Sequence, residues 1–282
     1  MKLASVLIGG KPTYGAIVGD GFIDLTQQFL GRASGVAGVL AGTHLAEAAE
    51  YCARTKPDHK LSELRFLGPI PNLETRVFAL GWAYKAHMVE TGKAEMEAPF
   101  IFSKHPQSLV GHGENLVKPK ATEKYDFEGE IAIVIGKAGR NIPAEKAIDH
   151  IAGYTLLMDG SARDWQKHSV TAGKNFDASS AWGPYLVTKD EISDPKKMVL
   201  TTRLNGVEMQ NSGFDLMAWD LGFLVNYVST MTRLEPGDTI STGTPAGVGN
   251  RREPPLYMKA GDVLEVEATG LGVLRNTVID EK

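Results

Sequence analysis

The chain has 282 residues, 43% hydrophobic and 23% charged, with a net charge of -4 and a pI near 6.0. This is soluble globular composition with no basic footprint for nucleic acid. The single cysteine, Cys52, rules out an internal disulfide and a thiolate metal site. No stretch approaches a membrane span, and the opening apolar run is too short and too soon broken for a signal peptide, so the sequence reads as cytoplasmic.

Residues 3–8 and 14–18 are β-prone runs separated by Gly9-Gly10-Lys11-Pro12, which predicts two strands and a turn. Residues 34–54 are rich in Ala, Leu and Val with Gly42 interrupting, which predicts one or two helices. Prolines and short polar runs place a boundary near residues 66–74. Residues 1–70 then form a small N-terminal α/β domain and 71–282 a larger, strand-dominated one. Helices are expected there at 84–91, 143–150, 161–168 and 215–231. Many short strands with few helices predict an α+β, mostly β architecture, closed or sandwiched.

The segment Phe127-Glu128-Gly129-Glu130-Ile131-Ala132-Ile133-Val134-Ile135 reads as a strand over 127–135. Its period of two points Glu128 and Glu130 the same way, and Gly129 leaves room for close backbone approach. An isolated pair of this kind would be a solvated edge. The apolar run that follows argues for burial, where two carboxylates need a cation or proton between them. Asp159 ends the run Ala152–Met158 and falls at a strand tip. It can also be read as a turn aspartate before a helix capped by Ser161, with Asp164 closing a capping box. Three carboxylates make a hard oxygen site suited to Mg²⁺ or Mn²⁺.

On a helix over 84–91, His87 and Glu90 share a face, and Gly92 would end that helix. A carboxylate beside imidazole suits a general base; the plainer alternative is a surface pair. Lys174 could neutralise an oxyanion or simply be solvated. The glycine-rich stretch Ser241–Gly249 could offer N–H groups to an anion or be an ordinary turn; it lacks the spacing of a nucleotide loop.

In order along the chain, several segments resemble the fumarylacetoacetate hydrolase family. They are Gly81…Tyr84…His87…Glu90, Phe102-Ser103-Lys104 and Asp126-Phe127-Glu128-Gly129-Glu130. They continue with Asp159…Arg163…Gln166, Gly173-Lys174-Asn175 and Thr242-Gly243-Thr244-Pro245. The resemblance covers residues ~73–280. It implies a mixed β-roll and a homodimer, with Mg²⁺, Mn²⁺ or Ca²⁺ on Glu128, Glu130 and Asp159. It also implies His87 as base paired with Glu90, and Arg163, Gln166, Lys174 and Thr244 around the substrate; Lys174 is expected to add positive charge in catalysis and Tyr84 to contact the substrate. Two places depart from the family pattern: Gly-Trp-Ala-Tyr stands where Gly-Leu-Asn-Tyr is usual, and Met158-Asp159-Gly160 where Asn-Asp-Val is usual.

The expected activity is metal-dependent hydrolysis of a carbon–carbon bond in an acylpyruvate such as fumarylpyruvate or maleylpyruvate. Decarboxylation or keto–enol isomerisation of an oxaloacetate-like acid would use the same site, and a non-catalytic ligand-binding domain is the distant alternative. For the far half of the substrate, Lys104, His105, Arg251 and Arg252 would meet a second carboxylate. Trp82, Met88 and Met96 would line an apolar one.

Overall fold

A computed structural model describes residues 1–71 and 75–282. The boundary expected over 66–74 therefore lies partly outside the described residues. Most strands join one open, twelve-stranded mixed sheet. Its centre is strand Gly129–Ile135, antiparallel to Ile151–Met158 on one side and to Thr239–Ser241 on the other. Thr239–Ser241 pairs in parallel with Val77–Gly81, and Phe100–Lys104 closes that edge. On the opposite side, Ser180–Thr188 meets the N-terminal strand Lys2–Ile8, so the meander Lys2–Ile8, Lys11–Val18 and Gly21–Asp24 extends the same sheet.

The run Gly-Glu-Ile-Ala-Ile-Val-Ile is buried along its whole length because both sheet faces are covered. Its alternation sorts the residues. Ile131, Ile133 and Ile135 enter one core with Leu200, Val266 and Leu274. Ala132 and Val134 enter another with Leu3, Ile23, Val39 and Leu186. The first core lies under a five-stranded sheet running Val207–Gly213, Val199–Leu204, Val263–Ala268, Gly272–Asp280 and Asn115–Lys118. The two sheets touch closely at Gly129, where a Cβ would sit 2.0 Å from Thr202 Oγ1. The close approach expected there is thus to the second sheet.

The helical stretch 34–54 is two helices, Val36–Leu40 and His44–Arg54. The helix expected over 84–91 is Lys85–Glu90, and Gly92 follows its end at φ 68°. The expectation at 161–168 is corrected. Ser161–Ala162 pairs with Tyr125–Asp126 as a short ladder, and Ser161 Oγ donates to the Asp159 carbonyl rather than capping a helix. The true cap is Ser169, whose side chain accepts from Ala172 N at 2.9 Å and opens helix Val170–Lys174. Residues 143–150 give a turn and the single helical turn Ala147–His150. In 215–231 the helix starts only at Leu221, because Asp220 caps it through Phe223 N at 2.7 Å. No helix among the described residues is long and apolar enough to cross a membrane.

Leu3 is 1% exposed in the core shared by the N-terminal strands and the central sheet. Leu3→Ala should therefore cost about 2–5 kcal/mol and lower the whole unfolding transition. Calorimetry that instead resolved a separate early transition, with the main peak unmoved, would show the two parts unfolding independently.

Candidate active site

The three carboxylates predicted from the sequence meet. Glu128, Glu130 and Asp159 each offer an oxygen, and these oxygens lie within 4.8 Å of one another. Glu128 immediately precedes the central strand, Glu130 is its second residue, and Asp159 follows the neighbouring strand. The Asp159 amide donates to the Glu128 carbonyl at 2.8 Å, which fixes one strand tip against the other.

Cations sit among them. Lys174 Nζ bridges Glu128 Oε2 at 2.6 Å and Asp159 Oδ2 at 2.7 Å. Lys104 Nζ, fully buried, holds Asp159 Oδ1 at 2.8 Å and Ser180 Oγ at 2.7 Å, and also donates to the Lys174 carbonyl. Arg163 Nη2 lies 2.7 Å from Glu128 Oε1 and 2.7 Å from Asp126 Oδ2. Burial pushes the Glu128 carboxyl up, but Lys174, Arg163 and His87 outweigh it and hold its pKa well below the usual range. Burial also opposes the charge on Lys174, and Asp159 and Glu128 reverse that. Lys104 is depressed because burial outweighs Asp159.

Glu130 is different. Its Oε2 accepts from Ser241 Oγ and from Gly243 N at 3.1 Å, while Oε1 is buried without a partner. Burial, then the like charge of Asp159, raises its pKa. An orphaned buried carboxylate oxygen beside two more carboxylates fits a divalent cation with hard oxygen preference. The residues present fit Mg²⁺ or Mn²⁺.

His87 is 5% exposed, and its Nδ1 lies 2.9 Å from Glu90 Oε2. Glu90 Oε1 accepts from Gly247 N at 2.8 Å, so the pair is anchored to the glycine-rich loop. That loop spends its N–H groups on the protein's own carboxylates: Gly243 on Glu130, Gly247 on Glu90, Gly249 and Asn250 on Asp126. The expected role of these particular amides toward a free anion is corrected accordingly. Thr244 Oγ1 donates to Gly129 O at 2.9 Å and accepts from Gln210 Nε2 at 2.8 Å, so its hydroxyl is committed as well.

A cavity of about 410 Å³ opens over this cluster. His87, Glu128, Arg163, Gln166, Lys174 and Thr244 line it, together with Trp82, Phe100 and Arg251. Tyr84 does not: it is 1% exposed in the core, with its hydroxyl unpaired. The four cations proposed for the far half are dispersed. Lys104 faces Asp159, because a buried ammonium needs carboxylate and hydroxyl partners. Arg252 donates to the Gly247 and Met209 carbonyls, and His105 is exposed outside the lining. Only Arg251 reaches the cavity. Of the apolar set, Trp82 is a wall residue, while Met88 and Met96 are not. Reading the sequence overlooked Asp126 as a site residue. The signal was present, since Asp126, Glu128 and Glu130 are spaced by two.

Three buried carboxylates that could hold a metal ion stand near a histidine–glutamate pair, and Glu128 and His87 both line one cavity. The chain belongs to the fumarylacetoacetate hydrolase family: the family's C-terminal domain matches residues 76–279. It is 41% identical over 222 residues to oxaloacetate tautomerase fahd2, mitochondrial, of Xenopus laevis, covering 77% of this chain and 69% of that one. It is 35% identical over 246 residues to oxaloacetate tautomerase YisK of Bacillus subtilis, covering 83% and 81%. The maleylpyruvate hydrolase of Sphingobium sp. SYK-6, solved with manganese(II) and pyruvate, has the same fold at a TM-score of 0.84 and 23% identity, with full coverage of both chains.

Removing two of the three carboxylates should abolish metal binding. Titration calorimetry of Glu128→Ala/Asp159→Ala with Mg²⁺ and Mn²⁺ checks this, and wild-type affinity in the double variant would place the metal elsewhere.

Proposed function

We propose that this protein is a metal-dependent enzyme that tautomerises an oxaloacetate-like 2-oxo acid. The observation that carries the reading is the His87–Glu90 pair, with one imidazole nitrogen held by a carboxylate, at the wall of a cavity that also exposes Glu128 and Lys174. The names of the relatives favour tautomerisation over the carbon–carbon hydrolysis expected from the motifs.

With Nδ1–H donated to Glu90, the imidazole presents Nε2 as acceptor. His87 then takes a proton from C3 of the keto acid. The C3–H pair becomes the C2–C3 double bond, and the carbonyl pair moves to the 2-oxygen, which takes up one proton from solvent to give the enol while His87 releases to solvent the proton it accepted. No water is consumed, and the reverse path regenerates the ketone. A divalent ion on Glu128, Glu130 and Asp159 would supply Lewis acidity where negative charge develops at the 2-oxygen. Lys174 holds Glu128 and Asp159 together and brings positive charge to the same region. Arg163 and Gln166 would bind a substrate carboxylate. A homodimer, as the family resemblance implies, belongs to the same proposal.

His87→Ala should lower kcat for keto–enol exchange by about a hundredfold or more, with a smaller change in KM. Glu90→Gln should lose less, since Glu90 orients the ring. The assay follows ultraviolet absorbance of enol-oxaloacetate alongside pyruvate release from acetylpyruvate. Wild-type protein is expected to speed equilibration without releasing pyruvate. Pyruvate release at the higher kcat/KM would overturn tautomerisation in favour of hydrolysis.

A further inference from the structure

Asp126 is fully buried, and it stands outside the group of three carboxylates that could hold a metal ion. It nevertheless carries more polar contacts than any of the three carboxylates beside it. Oδ1 accepts from Phe127 N and Gly249 N, each at 2.8 Å. Oδ2 accepts from Asn250 N at 2.9 Å and Arg163 Nε at 2.8 Å, with Arg163 Nη2 at 2.7 Å. The approach of the loop depends on Gly249, where a Cβ would meet Asp126 Oδ1 at 2.6 Å and the Leu256 carbonyl at 1.9 Å.

The consequence falls on Arg163. A guanidinium is planar and donates along fixed edges. Asp126 Oδ2 accepts from Nε, and the Asp126 and Glu128 carboxylates flank Nη2 as ion pairs at 2.7 Å. Only Nη1 remains, 3.3 Å from Gln166 Oε1, and both Arg163 and Gln166 line the cavity. The same carboxylate fixes Asn250, another lining residue, through its backbone.

We propose that Asp126 is a positioning residue for substrate affinity: it clamps Arg163 and the Gly249–Asn250 backbone into one rigid wall, so that Arg163 Nη1 is held toward the cavity. It acts through Arg163 and touches no reacting atom. The inference takes only the class of ligand, a 2-oxo acid, from the function proposed above.

The test titrates oxalate into Mg²⁺-loaded protein by calorimetry and measures KM and kcat for oxaloacetate beside it. Asp126→Asn should weaken oxalate by about tenfold, leave Mg²⁺ affinity unchanged, and raise KM while kcat stays within roughly threefold. Arg163→Met should weaken oxalate similarly, and the double variant should be no worse than Arg163→Met alone. Additive losses, or unchanged oxalate affinity in Asp126→Asn, would overturn the proposal. Should Asp126→Asn fail to fold, Asp126→Glu keeps the charge and displaces the guanidinium. Its loss of oxalate affinity should vanish in the Arg163→Met background, and wild-type affinity in Asp126→Glu would equally overturn the clamp. If tautomerase activity proves absent altogether, the oxalate titrations still decide the matter.

Discussion

Burying like charges side by side is the constraint on which the rest of this structure depends. Asp126, Glu128, Glu130 and Asp159 are all withdrawn from water within one small region. A carboxylate there is tolerable only if its charge is matched and its oxygens are hydrogen-bonded. Lys104, Lys174 and Arg163 match it from three directions, each reaching at least one carboxylate at 2.8 Å or less. Glu130 is the member left incompletely satisfied, with Oε1 buried and unpartnered where a divalent cation would find a hard oxygen ligand.

The glycine-rich loop follows from the same constraint. Its amides are aimed at the protein's own carboxylates, and each contact ties a different part of the site to one backbone: the carboxylate triad through Glu130, the His87 imidazole through Glu90, and Arg163 through Asp126. Backbone donors cost no side-chain entropy to place, and the loop's glycines let the chain come close enough. Gly243 at φ 86° and Gly247 at φ 106° take conformations other residues rarely adopt. The loop anchors these carboxylates first and forms a cavity wall second.

The sheet supplies the rigidity. Glu130 lies within the central strand, and Glu128 and Asp159 lie at adjoining strand tips, so their separation is set by ladder geometry rather than by loop conformation. His87 comes from a short helix across the cavity, tied back through Glu90. Trp82, in the left-handed region at φ 54°, stacks edge-on to Phe100 and lies under Lys93.

Local sequence determined a good deal. Alternation over 128–135 placed two glutamates together and a buried strand behind them, because period two is a property of the extended chain itself. The i,i+3 spacing of His87 and Glu90 determined their contact for the same kind of reason, since helical geometry alone brings such residues together. Tertiary structure decided whatever depended on partners far along the chain. Asp159 meets Glu128 only because two strands pair in register. Lys104 turned from an expected substrate contact into a buried counter-ion because Ser180 and Asp159, 76 and 55 residues away, converge on it. Tyr84 looked like a pocket residue within its motif but was drawn into the core by packing around it. Spacing tells where a side chain points on its own element; which charge it meets there is settled by the elements folded against it, and for buried groups that partner decides the role.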